Sequence, residues 1–257
     1  MGPRGIALSA GTPAGVVAAT AGLAEQVGYR SFWLNHPGRT DGIAGLVVAA
    51  AVTSAIDLGV GVVPLHERSA ASVVGAVREH ALPVERLLLG IGTAGPGAFR
   101  LAREGIASIR TDLGCAVVMG ALSERACTLA GALADGVLFN WLTPAHARRS
   151  AAWVEAGAAR AGRPRPRLYA YVRASLGLGA RERIEREGAR YQSGAYRAHF
   201  ALMSAEPLAT AIAATTPAEV AESLGAWDGA VDEVVLRFVP ADETEDAHLE
   251  LVRAGAP

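Results

Sequence analysis

The stretch 115–146, CAVVMGALSERACTLAGALADGVLFNWLTPAH, holds the clearest provision for chemistry in this chain. Its apolar run 116–119 stops at Gly120. Ser123 then stands where a helix N-cap belongs, and Glu124 enters the first turn, where negative charge suits the helix dipole. A turn of small residues opening onto free helix N–H groups suits an anionic ligand. The pattern continues through a helix to the Asp135-Gly136 turn, an apolar strand over 137–142, and Thr143-Pro144, which places Pro at the first helical position. This is a βαβ unit with almost no spare loop.

Positioning that turn requires the rest of the chain. Eight apolar runs read as strands at 5–10, 30–35, 57–64, 86–93, 115–121, 136–142, 167–175 and 231–239. Helical stretches fall between them at 13–27, 42–56, 69–81, 97–112, 123–133, 144–161, 180–204 with 216–225, and 243–254. Runs such as 60–63, 87–89 and 234–236 are continuously apolar, as strands buried on both faces are. Eight βα units in 257 residues predict one α/β domain over 1–257, a (β/α)8 TIM barrel. Within 180–204, Arg181 with Glu185 and Arg183 with Glu187 read as i,i+4 pairs on a solvated face. Tyr191, Tyr196, His199 and Phe200 follow as an amphipathic patch, expected to pack on the barrel or on a dimer partner rather than to line a substrate pocket.

Composition narrows the chemistry. All 24 basic residues are arginine, so mechanisms that need a lysine amine are excluded: Schiff-base aldolases, pyridoxal-phosphate enzymes and Walker-A loops. Arginine in place of lysine, with abundant Ala and Gly, points to a GC-rich coding sequence. A net charge of −1 gives no broad attraction to nucleic acid or anionic membrane. No long uncharged apolar run marks a membrane span, and the first residues lack a signal-peptide layout, so a cytoplasmic protein is expected. Cys115 and Cys127 have neither CxxC nor metal-ligand spacing and read as buried thiols.

A barrel keeps its active site at the C-terminal strand ends. Here those ends are poor in carboxylates, Glu67 being the one obvious acid, which argues against a two-carboxylate hydrolase. His36 and His66 follow adjacent strands, but two histidines without a carboxylate make no convincing metal site. The remaining rim is Gly, Ala, Ser, Thr, Asn and Trp, which suits a large planar cofactor held by backbone groups and hydroxyls.

Taken in order, VVMGALSERACTLAGALADGVLFNWLTP at 117–144, YRSFWLNHPGR at 29–39, DLGVGVVPLHERSA at 57–70, ERLLLGIGTAG at 85–95, AYRAHFALM at 195–203 and VDEVVLRFVP at 231–240 resemble the luciferase-like monooxygenase superfamily. More narrowly they resemble actinobacterial oxidoreductases grouped with methylenetetrahydromethanopterin reductase and the coenzyme F420-dependent enzymes. The resemblance implies a barrel holding a deazaflavin or flavin ring at the strand ends. It implies a polar, often catalytic position at Asn35 and His36. It implies a strand-three bulge with a non-prolyl cis peptide at Gly61, Val62 and Val63, and a cofactor contact at Thr93. It assigns the phosphate to the turn Gly120, Ala121, Leu122 and Ser123, the turn already read as an anion site. The chain departs from the pattern in three places, one of them Gly95, which stands after strand four where some deazaflavin dehydrogenases carry an acidic residue. Ser123-Glu124 stands where many relatives have Gly-Pro, and the segment after strand four is a shortened insertion.

Three functions follow from these readings. The first is hydride transfer between coenzyme F420 and an organic or peptide substrate, with His36 as acid, base or polarising group. The second is an FMN-dependent monooxygenase using reduced flavin and oxygen. The third is a cofactor-less barrel serving as a binding or partner subunit. His36 also reads as a capping histidine in its turn, and Trp141 either as a wall of the ring site or as plain core. His66, His80, His146, His199 and His248 read as surface or helix-end residues. A homodimer is expected from the resemblance and the aromatic patch.

Overall fold

Every strand of this chain runs in the same direction. The computed structural model describes residues 2–36 and 40–257, so Pro37, Gly38 and Arg39 of the NHPGR segment lie outside the described residues. Strands β1 (Arg4–Leu8), β2 (Ser31–Leu34), β3 (Asp57–Pro64), β4 (Leu87–Gly92), β5 (Ala116–Gly120), β6 (Gly136–Asn140) and β7 (Arg167–Leu176) pair in parallel, each to the next. A short strand β8 (Ile212–Ala214) pairs with the end of β7, and β9 (Glu233–Phe238) joins β7 to β1 and closes an eight-stranded barrel. The predicted barrel is therefore the observed one. Strand β8 was not predicted, because three residues carry too little periodicity to register.

Among the described residues ten α-helices surround the barrel: α1 (Ala14–Gln26), α2 (Gly42–Val52), α3 (Ala70–Glu79), α4 (Ala98–Leu113), α5 (Glu124–Leu133), α6 (Pro144–Arg160), α7 (Ala180–Ala189), α8 (Gly194–Met203), α9 (Pro217–Gly225) and α10 (Glu245–Ala254). Side-chain caps fix several starts. Asp41, Ser69, Ser123, Thr143, Thr216 and Thr244 each accept a first-turn N–H. The single helix expected over 180–204 is two helices, because the chain turns at 190–193 and restarts at Gly194, whose φ is +53°. The Arg181–Glu185 pair forms at 3.0 Å. The Arg183–Glu187 pair does not. Arg183 instead donates to the Leu176 and Leu178 carbonyls at 2.6 and 2.7 Å and braces the end of β7, while Glu187 pairs with Arg190 at 3.0 Å.

The barrel is packed in two shells. Outward residues such as Ile6, Phe32, Leu58, Leu89 and Leu236 meet the helices, while Ala7, Trp33, Val118, Tyr169, Tyr171 and Val235 fill the lumen. Helices α5 and α6 approach most closely where Gly131 faces the Val154 carbonyl and Gly157 faces the Thr128 carbonyl. A side chain at either glycine would collide with backbone. Gly157→Val is expected to lower the unfolding free energy by about 2–3 kcal/mol through overpacking. Gly75→Ala, on an exposed and unobstructed face of α3, is expected to raise it by about 0.5–1 kcal/mol. Urea unfolding of the two variants checks both signs.

Candidate active site

A cleft of about 630 Å³ opens at the C-terminal ends of β3 to β6 and is covered by α8. Its floor starts at an irregularity in β3. Val60 pairs with Leu89 and Val63 with Ile91, so β3 carries one residue more than β4 there. The Gly61–Val62 peptide is cis. The bulge turns Val62 inward and returns Val63 to the outer core, where it is fully buried. The Val62 methyls then cover the neighbouring strands. A β-carbon on Gly92 would lie 2.7 Å from Val62 Cγ2, and one on Gly120 would lie 3.3 Å from Val62 Cγ1. One on Gly61 would lie 2.5 Å from the Tyr171 hydroxyl.

One wall is the turn after β5. Ser123 Oγ accepts the Ala126 N–H at 3.3 Å, which leaves the N–H groups of Glu124 and Arg125 at the open end of α5. Glu124 is exposed, and the Arg125 guanidinium lies 5.2 Å from the Phe99 ring centroid at the cleft edge. Thr93, Ala94 and Gly95 form the β4 edge. The opposite wall is α8, which presents Ala195, Tyr196, Ala198, His199 and Leu202.

Polar groups converge on this wall in one direction. The inward Arg173 of β7 donates to Asn140 Oδ1, and Asn140 Nδ2 donates to the Tyr196 hydroxyl oxygen at 2.6 Å. Tyr196 therefore keeps its own O–H free to donate, and burial above all raises its pKa, so the proton stays on. The Arg173 guanidinium also lies 4.0 Å from the Trp141 ring centroid and donates to the Tyr191 hydroxyl at 3.3 Å. Trp141 is fully buried, does not line the cleft, and has a φ of +53°. His199 donates Nε2–H to the Trp141 carbonyl at 2.8 Å, and its buried Nδ1 lacks a partner among the described residues. The Tyr171 hydroxyl is likewise buried at the cleft floor without a partner.

Of the residues singled out in the sequence, Gly61, Val62, Thr93, Gly120, Ala121, Leu122 and Ser123 come together around this cleft. Asn35, His36 and Val63 do not line it. Asn35 Oδ1 accepts the Ala10 N–H at 2.8 Å, tying β2 to the loop after β1. His36 Nδ1 accepts the Gly42 N–H at 3.2 Å at the start of α2 and lies 3.6 Å from Asp41 Oδ1. Cys115 and Cys127 are buried, and burial raises their thiols to about 11 and about 12.

Sequence reasoning missed several residues here. Asn140 ends β6 and Arg173 lies near the end of β7, and neither belongs to a motif. The aromatic patch was expected to pack, and it divides: Phe200 packs on Trp141 while Tyr196 and His199 face the cleft. His146 and His248 are helix-end residues, in the first turns of α6 and α10, but like His199 within α8 they are buried rather than at the surface. The missed signal is alternation along β7, where Tyr169, Tyr171 and Arg173 all fall on the inward face.

Comparison with known proteins agrees with this geometry. No family model matches the chain. A 5,10-methylenetetrahydromethanopterin reductase of Methanolobus tindarius is 29% identical over 186 residues, a match covering 57% of this chain and 56% of that protein. The matched stretch thus spans little more than half of that relative. An F420-dependent secondary alcohol dehydrogenase solved with an F420–acetone adduct superposes with a TM-score of 0.79 at 14% identity, covering 100% of this chain and 99% of that one. The oxygenating constituent of 3,6-diketocamphane monooxygenase from Pseudomonas putida, solved with FMN, gives 0.68 at 12% identity, covering 98% and 95%. The chain has the closed parallel (β/α)8 barrel fold of these structures, the fold its sequence resemblance implied.

Two predictions follow from the site. Tyr171→Phe removes an unpartnered buried hydroxyl and is expected to stabilise the free protein by about 1 kcal/mol. Asn140→Leu removes the acceptor of one Arg173 nitrogen, leaving only the Tyr191 hydroxyl, and is expected to cost about 2–3 kcal/mol; urea midpoints give both values. The second prediction concerns pH. His36, His146 and His199 are all held below the ordinary histidine value of 6.5, with burial the largest cause. The unfolded chain therefore takes up protons that the folded chain resists, and stability should fall as pH drops below about 6.5. His146→Gln and His199→Gln should each flatten the decline in urea midpoint between pH 7.5 and 5.5.

Proposed function

We propose that the chain is an oxidoreductase that binds coenzyme F420 in the β3–β6 cleft and exchanges a hydride with a small organic substrate. The observation that carries this reading is the shape of the cleft. Two strand ends, at Gly92 and Gly120, keep glycine where Val62 needs the space, Gly61 leaves room for the Tyr171 hydroxyl, and that buried hydroxyl at the floor lacks a partner among the described residues. These residues fit a planar ring lying over Val62, with an anionic tail toward the free amides of α5. Gly61, Val62, Thr93 and Gly120 would hold the ring, and Ala121, Leu122 and Ser123 the tail. When bound, the deazaflavin supplies the hydride chemistry.

The chain's own residues supply orientation and a proton. Arg173 and Asn140 fix the Tyr196 oxygen and leave its O–H directed to a ligand, so Tyr196 is the group placed to donate to a substrate oxygen. Neutral His199 offers Nδ1 as an acceptor on the same wall. Helix α8 excludes water from that side. His36 keeps a supporting part in this reading, since its Nδ1 is already engaged by the Gly42 amide.

Titrating the purified chain with F420 and separately with FMN tests the proposal. Saturable binding of F420 is expected, with FMN at least tenfold weaker. Ala195→Trp, on an exposed cleft-facing position of α8, should abolish F420 binding without changing the urea midpoint. His36→Ala should leave F420 affinity within about threefold. Preferential binding of FMN would instead favour the monooxygenase reading. Binding of neither would overturn the cofactor assignment and leave the partner-subunit reading.

A further inference from the structure

A second cavity of about 240 Å³ opens beside the ends of β1, β7 and β9 and shares no lining residue with the first cleft. Four arginines line it, Arg183, Arg186, Arg190 and Arg237, against two glutamates, Glu187 and Glu243. Their situations differ. Arg183 is spent on strand-end carbonyls, and Arg190 holds Glu187 at 3.0 Å. Arg186 is exposed and makes no hydrogen bond or ion pair with the described residues. Glu243 Oε2 lies 3.7 Å from His248 Nε2.

Arg237 is the informative group. It sits on the inward face of β9 in register with Arg173 of β7 and is 9% exposed. Its one protein acceptor is the Phe238 carbonyl, and no carboxylate lies within ion-pairing distance among the described residues. A buried guanidinium without a counter-charge is costly, and here a second buried arginine stands on the adjacent strand. Independently, the Thr12 hydroxyl lines the same cavity, is buried and has no hydrogen-bond partner among the described residues. Thr12 leads directly into α1, a 13-residue helix whose N-cap, Pro13, makes no side-chain cap and whose first turn has no acid. An exposed arginine, a buried unpaired arginine, an orphan hydroxyl and an uncapped helix start thus meet at one cavity.

We infer that this cavity is a binding site for an oxyanion, a carboxylate or phosphate group carried by a small ligand. Arg237 supplies the charge from the barrel side, Thr12 and the first amides of α1 supply hydrogen bonds, and Arg186 closes over the outer edge. The two anion classes share this chemistry and are separated by the probe used.

Calorimetric titration of the full chain at fixed ionic strength, with inorganic phosphate and separately with succinate, tests the site. Saturable binding of at least one probe is expected, phosphate alone indicating a phosphate ester and succinate alone a carboxylate. Thr12→Val should weaken binding about tenfold, the loss of one charge-assisted hydrogen bond. Arg186→Ala, at an exposed position, should weaken it severalfold and leave folding intact. Arg237→Gln should abolish binding while the ligand-free urea midpoint stays at or above that of the parent, because the uncompensated charge is gone. Ala195→Trp, which plugs the first cleft, should leave this binding unchanged, so failure here and failure of the cofactor assignment are distinguishable. Absence of saturable binding of both probes overturns the inference. So does parental affinity in both Thr12→Val and Arg186→Ala.

Discussion

Filling the barrel lumen governs the rest of this molecule. Eight strands enclose a space that must be packed with side chains, and here Trp33 does most of that work. Its ring meets Tyr169 and Tyr171 edge-on, at centroid distances of 5.3 and 5.9 Å. The next strand yields entirely: a β-carbon on Gly59 would lie inside the indole. Below the plug, Ser31 takes the indole N–H at 2.6 Å and donates in turn to Glu233, which pairs with Arg167 at 2.8 Å. Above it, Tyr171 ends in a hydroxyl under Gly61. The plug fills the lumen toward one end of the barrel and leaves the inward-facing residues of the other end to line the cleft.

The two ends are treated differently in charge. At the sealed end an acid and a base cancel, since Glu233 and Arg167 are in direct contact. At the open end Arg173 and Arg237 both point inward, and neither has a carboxylate within ion-pairing distance among the described residues. Burying charge this way costs stability unless something compensates. Arg173 finds partial compensation in Asn140, Tyr191 and the face of Trp141. Arg237 finds less.

The barrel was legible in the sequence because its strands are continuous apolar runs separated by capped helices, and both signals are local. The predicted strand 57–64 coincides with Asp57–Pro64. The anion-suited turn at 120–123 was legible for the same reason, since Gly120 and the Ser123 cap are adjacent in the chain. The Tyr196 wall was not. Its parts come from β6, β7 and α8, and what joins them is side-chain direction across 56 residues of sequence. His36 shows the converse. A histidine in a turn after a strand looks chemical, and its sequence neighbours do not reveal that its Nδ1 takes the Gly42 amide at a helix start.

The break between α7 and α8 explains how one chain segment serves both mouths. Had 180–204 continued as one helix, its aromatic residues would have run off the barrel with its charged ones. Instead Gly188 packs against Pro207, where a β-carbon would come within 2.9 Å of Pro207 Cγ, and the chain turns before Gly194. The charged half, α7, stays beside β7 and β9 and contributes Arg183, Arg186 and Arg190 to the lining of the second cavity. The aromatic half, α8, crosses to β3–β6 and lays Tyr196 and His199 over the cleft. Tyr191, at the turn, touches both Trp141 and Tyr196, with ring centroids 5.2 and 4.9 Å away. The same residue receives the Arg173 hydrogen bond. The turn is thereby anchored to the strand that carries the charge, which holds the two halves of the mouth in fixed relation without any further insertion after β4.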